Sequence, residues 1–140
     1  MWRLFYNDDG KRKRESAVQL LFYGIALAFC KENDLDCSPE TSIGSGLVDF
    51  KFSRGFNSKI LVEMKWSTND LKHALDIQLP AYVKSEDARQ AFLIIIDAGT
   101  NDKRINDFAS HFANANRNNY SCPIEYMVID GRQKKSASKK

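Results

Sequence analysis

Long apolar runs are missing from this 140-residue sequence. No stretch approaches the roughly 18 residues that a bilayer-spanning helix needs. The first residues, Met1 to Asp8, lack an apolar segment followed by a small-residue cleavage site. A cytoplasmic protein with no membrane partner is therefore expected. Cysteine is sparse: Cys30, Cys37 and Cys122 are odd in number, widely spaced and without a Cys-x-x-Cys. That argues against a zinc ribbon or a disulfide framework and for three reduced thiols. His73 and His111 have no paired ligand or nucleophile and read as surface or capping histidines. Ser45, within Gly44-Ser45-Gly46, has no histidine–acid arrangement to activate it, and this glycine-rich loop lacks the lysine of a phosphate cradle.

The chain does have enough apolar material for one core: 43% of residues are hydrophobic and 28% charged. A net charge of +3 says little as a whole-protein value. Its distribution says more. Lys11, Arg12, Lys13 and Arg14 form an unbroken basic run. Arg132, Lys134, Lys135, Lys139 and Lys140 fill the C-terminal end, with no acid after Asp130. Such runs can neutralise phosphates; they equally suit a solvated arm and a solubilising tail. The chain divides into a basic N-terminal arm (1–14), one domain (15–131) and a basic, disordered tail (132–140).

Val18, Leu21, Phe22, Ile25, Ala26 and Phe29 recur at three- and four-residue spacing, which predicts a helix from Glu15 to about Asn33. Beyond it, Pro39 and the cluster from Ser42 to Gly46 punctuate the chain. Leu47 to Ser53 alternates, with Val48, Phe50 and Phe52 on one face and Asp49, Lys51 and Ser53 on the other. Residues 54–58 read as a hairpin turn. In the strand from Lys59 to Trp66 the even positions are all apolar, while the odd face carries Leu61, Glu63 and Lys65. Residues 70–89 look helical, with a kink or break expected at Pro80. Ala91 to Asp97 suits a strand covered on both faces. A helix over 101–118 and a strand over 124–130 complete an α, β, β, α, β, α, β order. That order indicates an α/β fold with a mixed sheet flanked by helices.

Glu63 and Lys65, two apart, share a strand face. Asp49 lies on the partner strand of the inferred hairpin and can come near Glu63. Two carboxylates at that range repel unless a cation lies between them. Hard oxygen donors without imidazole or thiolate suit Mg²⁺, with Mn²⁺ as substitute. A lysine beside such a cation can orient water or stabilise a pentavalent phosphorus. Acid-x-Lys occurs four times, at Asp9/Lys11, Asp49/Lys51, Glu63/Lys65 and Asp70/Lys72. Only Glu63/Lys65 sits mid-strand with an acidic strand before it and a helix after it. Asp49/Lys51, with Glu40 as its earlier acid, is the competing register. Glu63 and Lys65 also fit the solvated outer face of an ordinary antiparallel sheet.

The stretches Gly46-Leu47-Val48-Asp49-Phe50, Ile60-Leu61-Val62-Glu63-Met64-Lys65 and Gln78-Leu79-Pro80-Ala81-Tyr82 resemble the PD-(D/E)XK nuclease superfamily, over residues 15–97 or so. The resemblance implies a restriction-endonuclease-like αβββαβ core and a Mg²⁺-dependent nuclease. It implies that Asp49 and Glu63 bind metal, with the Met64 carbonyl as a further ligand, and that Lys65 is the catalytic lysine. Gln78 would position water or that lysine, Tyr82 would touch the substrate backbone, and Glu15 would support the metal from the first helix. A glutamine and tyrosine four apart after the catalytic strand mark one branch of the superfamily. Gln19/Tyr23 has the same spacing but precedes that strand and does not fit. Val48 stands where many members have proline. Lys11 to Arg14 would contact nucleic acid, with DNA favoured over RNA. A non-catalytic nucleic-acid-binding module, or the RNA-cutting domain of a larger defence or toxin protein, are the alternatives. A homodimer and a place within a longer protein are both compatible.

Overall fold

The computed structural model describes residues 2–43, 46–55, 58–99, 102–115 and 120–134, with the main chain alone at 40–43 and 46–48. Five strands form one mixed sheet in sequence order: β1 (Asp36–Ile43), β2 (Gly46–Ser53), β3 (Lys59–Trp66), β4 (Gln90–Asp97) and β5 (Ile124–Asp130). The first three make an antiparallel meander, while β4 and β5 each run parallel to the strand before them. Parallel neighbours need a crossover. Helical segments after β3 and α4 (Asp102–Asn114) after β4 supply it.

β1 occupies the region that residue pattern presents only as punctuation. It is an edge strand, and an edge is where a proline without an N–H is tolerated; Pro39 lies opposite Phe50. The hairpin residues Phe56 and Asn57, Gly44 and Ser45 of the glycine-rich cluster, and the tail from 135 onward lie outside the described residues.

Strand alternation splits the core in two. Val62, Met64 and Trp66 join Phe50, Ile94 and Ile96 beneath Phe5 and Val18, with Phe22 packed alongside. Leu61, Leu93 and Ile95 face the other way, onto Leu75, Leu79, Tyr82, Val83 and Phe108. β4 is thus covered on both faces, as its apolar run requires.

Helix α1 (Glu15–Glu32) ends within a residue of the expected limit. Its apolar face is less fully used than the periodicity implies. Val18 is buried, but Ile25 and Phe29 are 65% and 61% exposed. They rim an apolar groove of about 800 Å³ whose other walls include Phe52, Ile60, Val62 and Phe92.

The helical stretch after β3 comes in three pieces. Asp70 accepts the His73 N–H and caps α2 (Leu71–His73); a π-helical turn (Ala74–Gln78) follows, then α3 (Leu79–Glu86). Pro80 cannot donate to a carbonyl four residues back, and its ring would crowd that carbonyl. The wide turn just before it, closed by Leu79 N–H to the Ala74 carbonyl, relieves the conflict. The break expected at Pro80 therefore takes the form of a bulge.

The basic segment at the N-terminus packs against the sheet through the residues just before it. Trp2–Phe5 form a 3₁₀ turn, Tyr6 bridges Arg12, and Phe5 is buried edge-on against Trp66. One apolar anchor thus fastens the segment to the same core as the domain. Among the described residues, no helix is long and apolar enough to cross a membrane.

Candidate functional site

The β2–β3 ladder stops, among the described residues, at the Phe50–Val62 pair. Continuing that register sets Asp49 opposite Glu63, on the face of Leu61 and Lys65. Here the main chains no longer bond each other. The Asp49 carboxylate takes the vacated rung instead: its Oδ2 accepts the Met64 N–H at 2.6 Å. Its Oδ1 accepts Gln19 Nε2 at 2.7 Å. Ser16, Gln19, Tyr23, Pro39 and Phe50 join Asp49 around a cavity of about 380 Å³, which gives this carboxylate access from the α1 side.

Glu63 is 2% exposed, and its Oε1 lies 2.7 Å from Lys65 Nζ. Glu15, in the first turn of α1, reaches the same ammonium from a second direction at 3.4 Å. One cation therefore faces three acids. The consequences are electrostatic. Asp49 is pushed up to about 7, first by burial and then by the Glu63 carboxylate, with the Met64 N–H and Lys65 opposing. Glu63 is raised by burial in spite of Lys65. For Lys65 burial disfavours the ammonium, yet Glu63 and the other carboxylates outweigh it and raise its pKa.

Glu63 Oε2 and Glu15 Oε2 are buried without a hydrogen-bond partner. Orphaned carboxylate oxygens are costly in a protein interior, and a divalent cation is the partner that fits an excess of hard acidic oxygens. No group of three or more His, Cys, Asp or Glu among the described residues is arranged to enclose an ion unaided. Asp49 and Glu63 would therefore have to share a cation with the Met64 carbonyl and water, which is ordinary for Mg²⁺.

Of the residues singled out by pattern, Asp49, Glu63, Lys65 and Glu15 come together. Tyr82 is buried in the core, and its phenol is raised by burial and by Glu63, so it borders the cluster. Gln78 ends the π-helical turn, half-buried, and makes no hydrogen bond to the cluster among the described residues. Lys51, from the competing register, is held by Glu86 at 3.2 Å instead; the Glu40 side chain lies outside the described residues. In the basic run, Lys11 pairs with Asp9. Arg12 lies 4.8 Å above the Trp66 ring and donates to Thr68 Oγ1 at 3.1 Å. Lys13 and Arg14 line a shallow cavity beside the start of α1. Gln19, which motif order sets aside because it precedes the catalytic strand, is part of the cluster. Its spacing is the signal that could have found it: it lies one helical turn after Glu15, hence on the same face of α1.

Fold and site together define an α/β protein with a five-stranded mixed sheet and a buried acid–lysine cluster where two strands part. Residues 1–100 match the model of a family described as a domain of unknown function, DUF8371, and the chain belongs to that family. A comparison with curated proteins returned no match.

Proposed function

We propose that this protein is a metal-dependent nuclease with a restriction-endonuclease-like core, acting on nucleic acid and on DNA in preference to RNA. One observation carries the reading: Asp49, Glu63 and Lys65, from two diverging strands, converge with Glu15 around buried, partnerless carboxylate oxygens.

Asp49, Glu63 and the Met64 carbonyl would hold the cation, which when bound supplies a Lewis acid and an activated water. Lys65 provides positive charge where a phosphorane would develop it in the opposite sign. Glu15 and Glu63 together restrain the lysine ammonium and keep it protonated at neutral pH. Arg12, fixed over Trp66 near the carboxyl end of β3, suits contact with a substrate phosphate.

A second reading has its own observation. Both Asp49 oxygens already accept hydrogen bonds, and Lys65 already neutralises Glu63. Contacts of this kind, already made within the protein, suit a non-catalytic nucleic-acid-binding module. Incubation with plasmid, single-stranded DNA and RNA, in Mg²⁺, Mn²⁺ or EDTA, separates the two. Cleavage that needs the cation and disappears in Lys65→Ala supports the nuclease. Duplex binding without cleavage in any cation supports the module.

A further inference from the structure

We infer that Gln19 is a positioning residue that fixes the Asp49 carboxylate for cation binding, as a neutral donor that leaves the negative charge of that carboxylate uncancelled. The inference deepens the nuclease reading and rests on it for its activity arm alone. Asp49 is gripped at two points, Oδ1 by the Gln19 amide and Oδ2 by the Met64 N–H. Two-point attachment leaves a carboxylate little freedom about either side-chain torsion. With one contact removed, the group can rotate about the other. Gln19 and Glu15 lie one turn apart on α1, and they grip Asp49 and Lys65 respectively. One helix face thus orients both a prospective ligand and the lysine. The chemical identity of position 19 matters as much as its reach. An ammonium or guanidinium there would also grip Asp49, but it would neutralise the charge that a divalent ion requires. An amide orients without competing.

The test uses Gln19→Met, which keeps length and loses the donor, and Gln19→Lys, which keeps a donor and adds charge. The first readout is hydrogen exchange of the Met64 amide in metal-free protein, with Leu61 as the reference on the same strand. The second is affinity for Mn²⁺ alone by calorimetry. The third is kcat and KM for nucleic-acid cleavage. Gln19→Met is expected to speed Met64 exchange and weaken Mn²⁺ binding, each by roughly ten-fold, the worth of one charge-assisted hydrogen bond. Its kcat should fall with KM little changed. Gln19→Lys is expected to keep Met64 protected while weakening Mn²⁺ binding. Met64 exchange unchanged in Gln19→Met, with Leu61 also unchanged, overturns the inference whatever the activity. Faster Met64 exchange and weaker Mn²⁺ binding in Gln19→Met, beside a parent protein that cuts nothing, would uphold it and sink the nuclease reading.

Discussion

Asp49→Asn should make the metal-free protein more stable at alkaline pH. Asp49 moves from an ordinary value of 3.8 to about 7 in the fold. Between those limits the folded chain retains a proton that the unfolded chain has released. Stability therefore falls as pH rises from about 4 to about 7, and the loss is complete above that window. A rise of this size disfavours the folded carboxylate by at most about 4 kcal/mol. Glu63 shares the proton balance, so the effect belongs to the pair. The asparagine amide keeps the geometry: its oxygen can accept the Met64 N–H, and its nitrogen can face Gln19 once that side chain turns over. Thermal unfolding in EDTA at pH 5, 6, 7 and 8 is the assay. The variant should gain on the parent through this range, reaching a Tm gap of the order of 10 °C at pH 8 for a domain of this size. Mg²⁺ should then close the gap by stabilising the parent, since ligand binding to the folded state alone raises stability. Parallel Tm profiles for the two proteins, with no response to Mg²⁺ in either, would refute the reasoning.

Lys65→Ala leaves Glu63 buried without its counter-charge; it should destabilise the fold by about 3 kcal/mol in urea unfolding and abolish any cation-dependent cleavage. Arg12→Ala should weaken duplex binding evenly across sequences and reduce the salt dependence of log K by about one phosphate's worth, read from titrations between 50 and 200 mM salt. Burial alone would raise the Glu86 carboxyl, but Lys51 and Lys59 hold it below its ordinary value. Its stabilisation is thus present at neutral pH and lost on acidification through the carboxylate range. Glu86→Gln should cost about 2 kcal/mol at pH 7 and far less at pH 3 in denaturant titrations. Phe108→Ala empties a fully buried site against Tyr126 and should cost about 3–5 kcal/mol by the same method.

Much of this architecture is legible in residue pattern. The even–odd division of β3 correctly separates Val62, Met64 and Trp66 from Leu61, Glu63 and Lys65. The unbroken run of β4 correctly signals cover on both faces. β1 is obscured because Pro39 reads as a strand breaker, and only an edge position, a tertiary fact, makes it admissible. Phe5 escapes notice because one aromatic beside a basic run gives no periodic signal, although it anchors the whole segment. Asp49, Glu63 and Lys65 can be grouped by hairpin register. Helix spacing places Gln19 on the face of Glu15, but its contact with Asp49 depends on how α1 docks at the place where β2 leaves β3.

A carboxylate that stands in for a missing peptide group ties chemistry to architecture at a single position. Alanine at 49 would strip the Met64 amide of its acceptor inside the protein, so an inactive alanine variant could be inactive through a loosened sheet. Inheritance faces the same bind. On the nuclease reading, a descendant that gave up hydrolysis would be free to exchange Asp49 for asparagine, which keeps the Met64 acceptor, but not for alanine, which removes it.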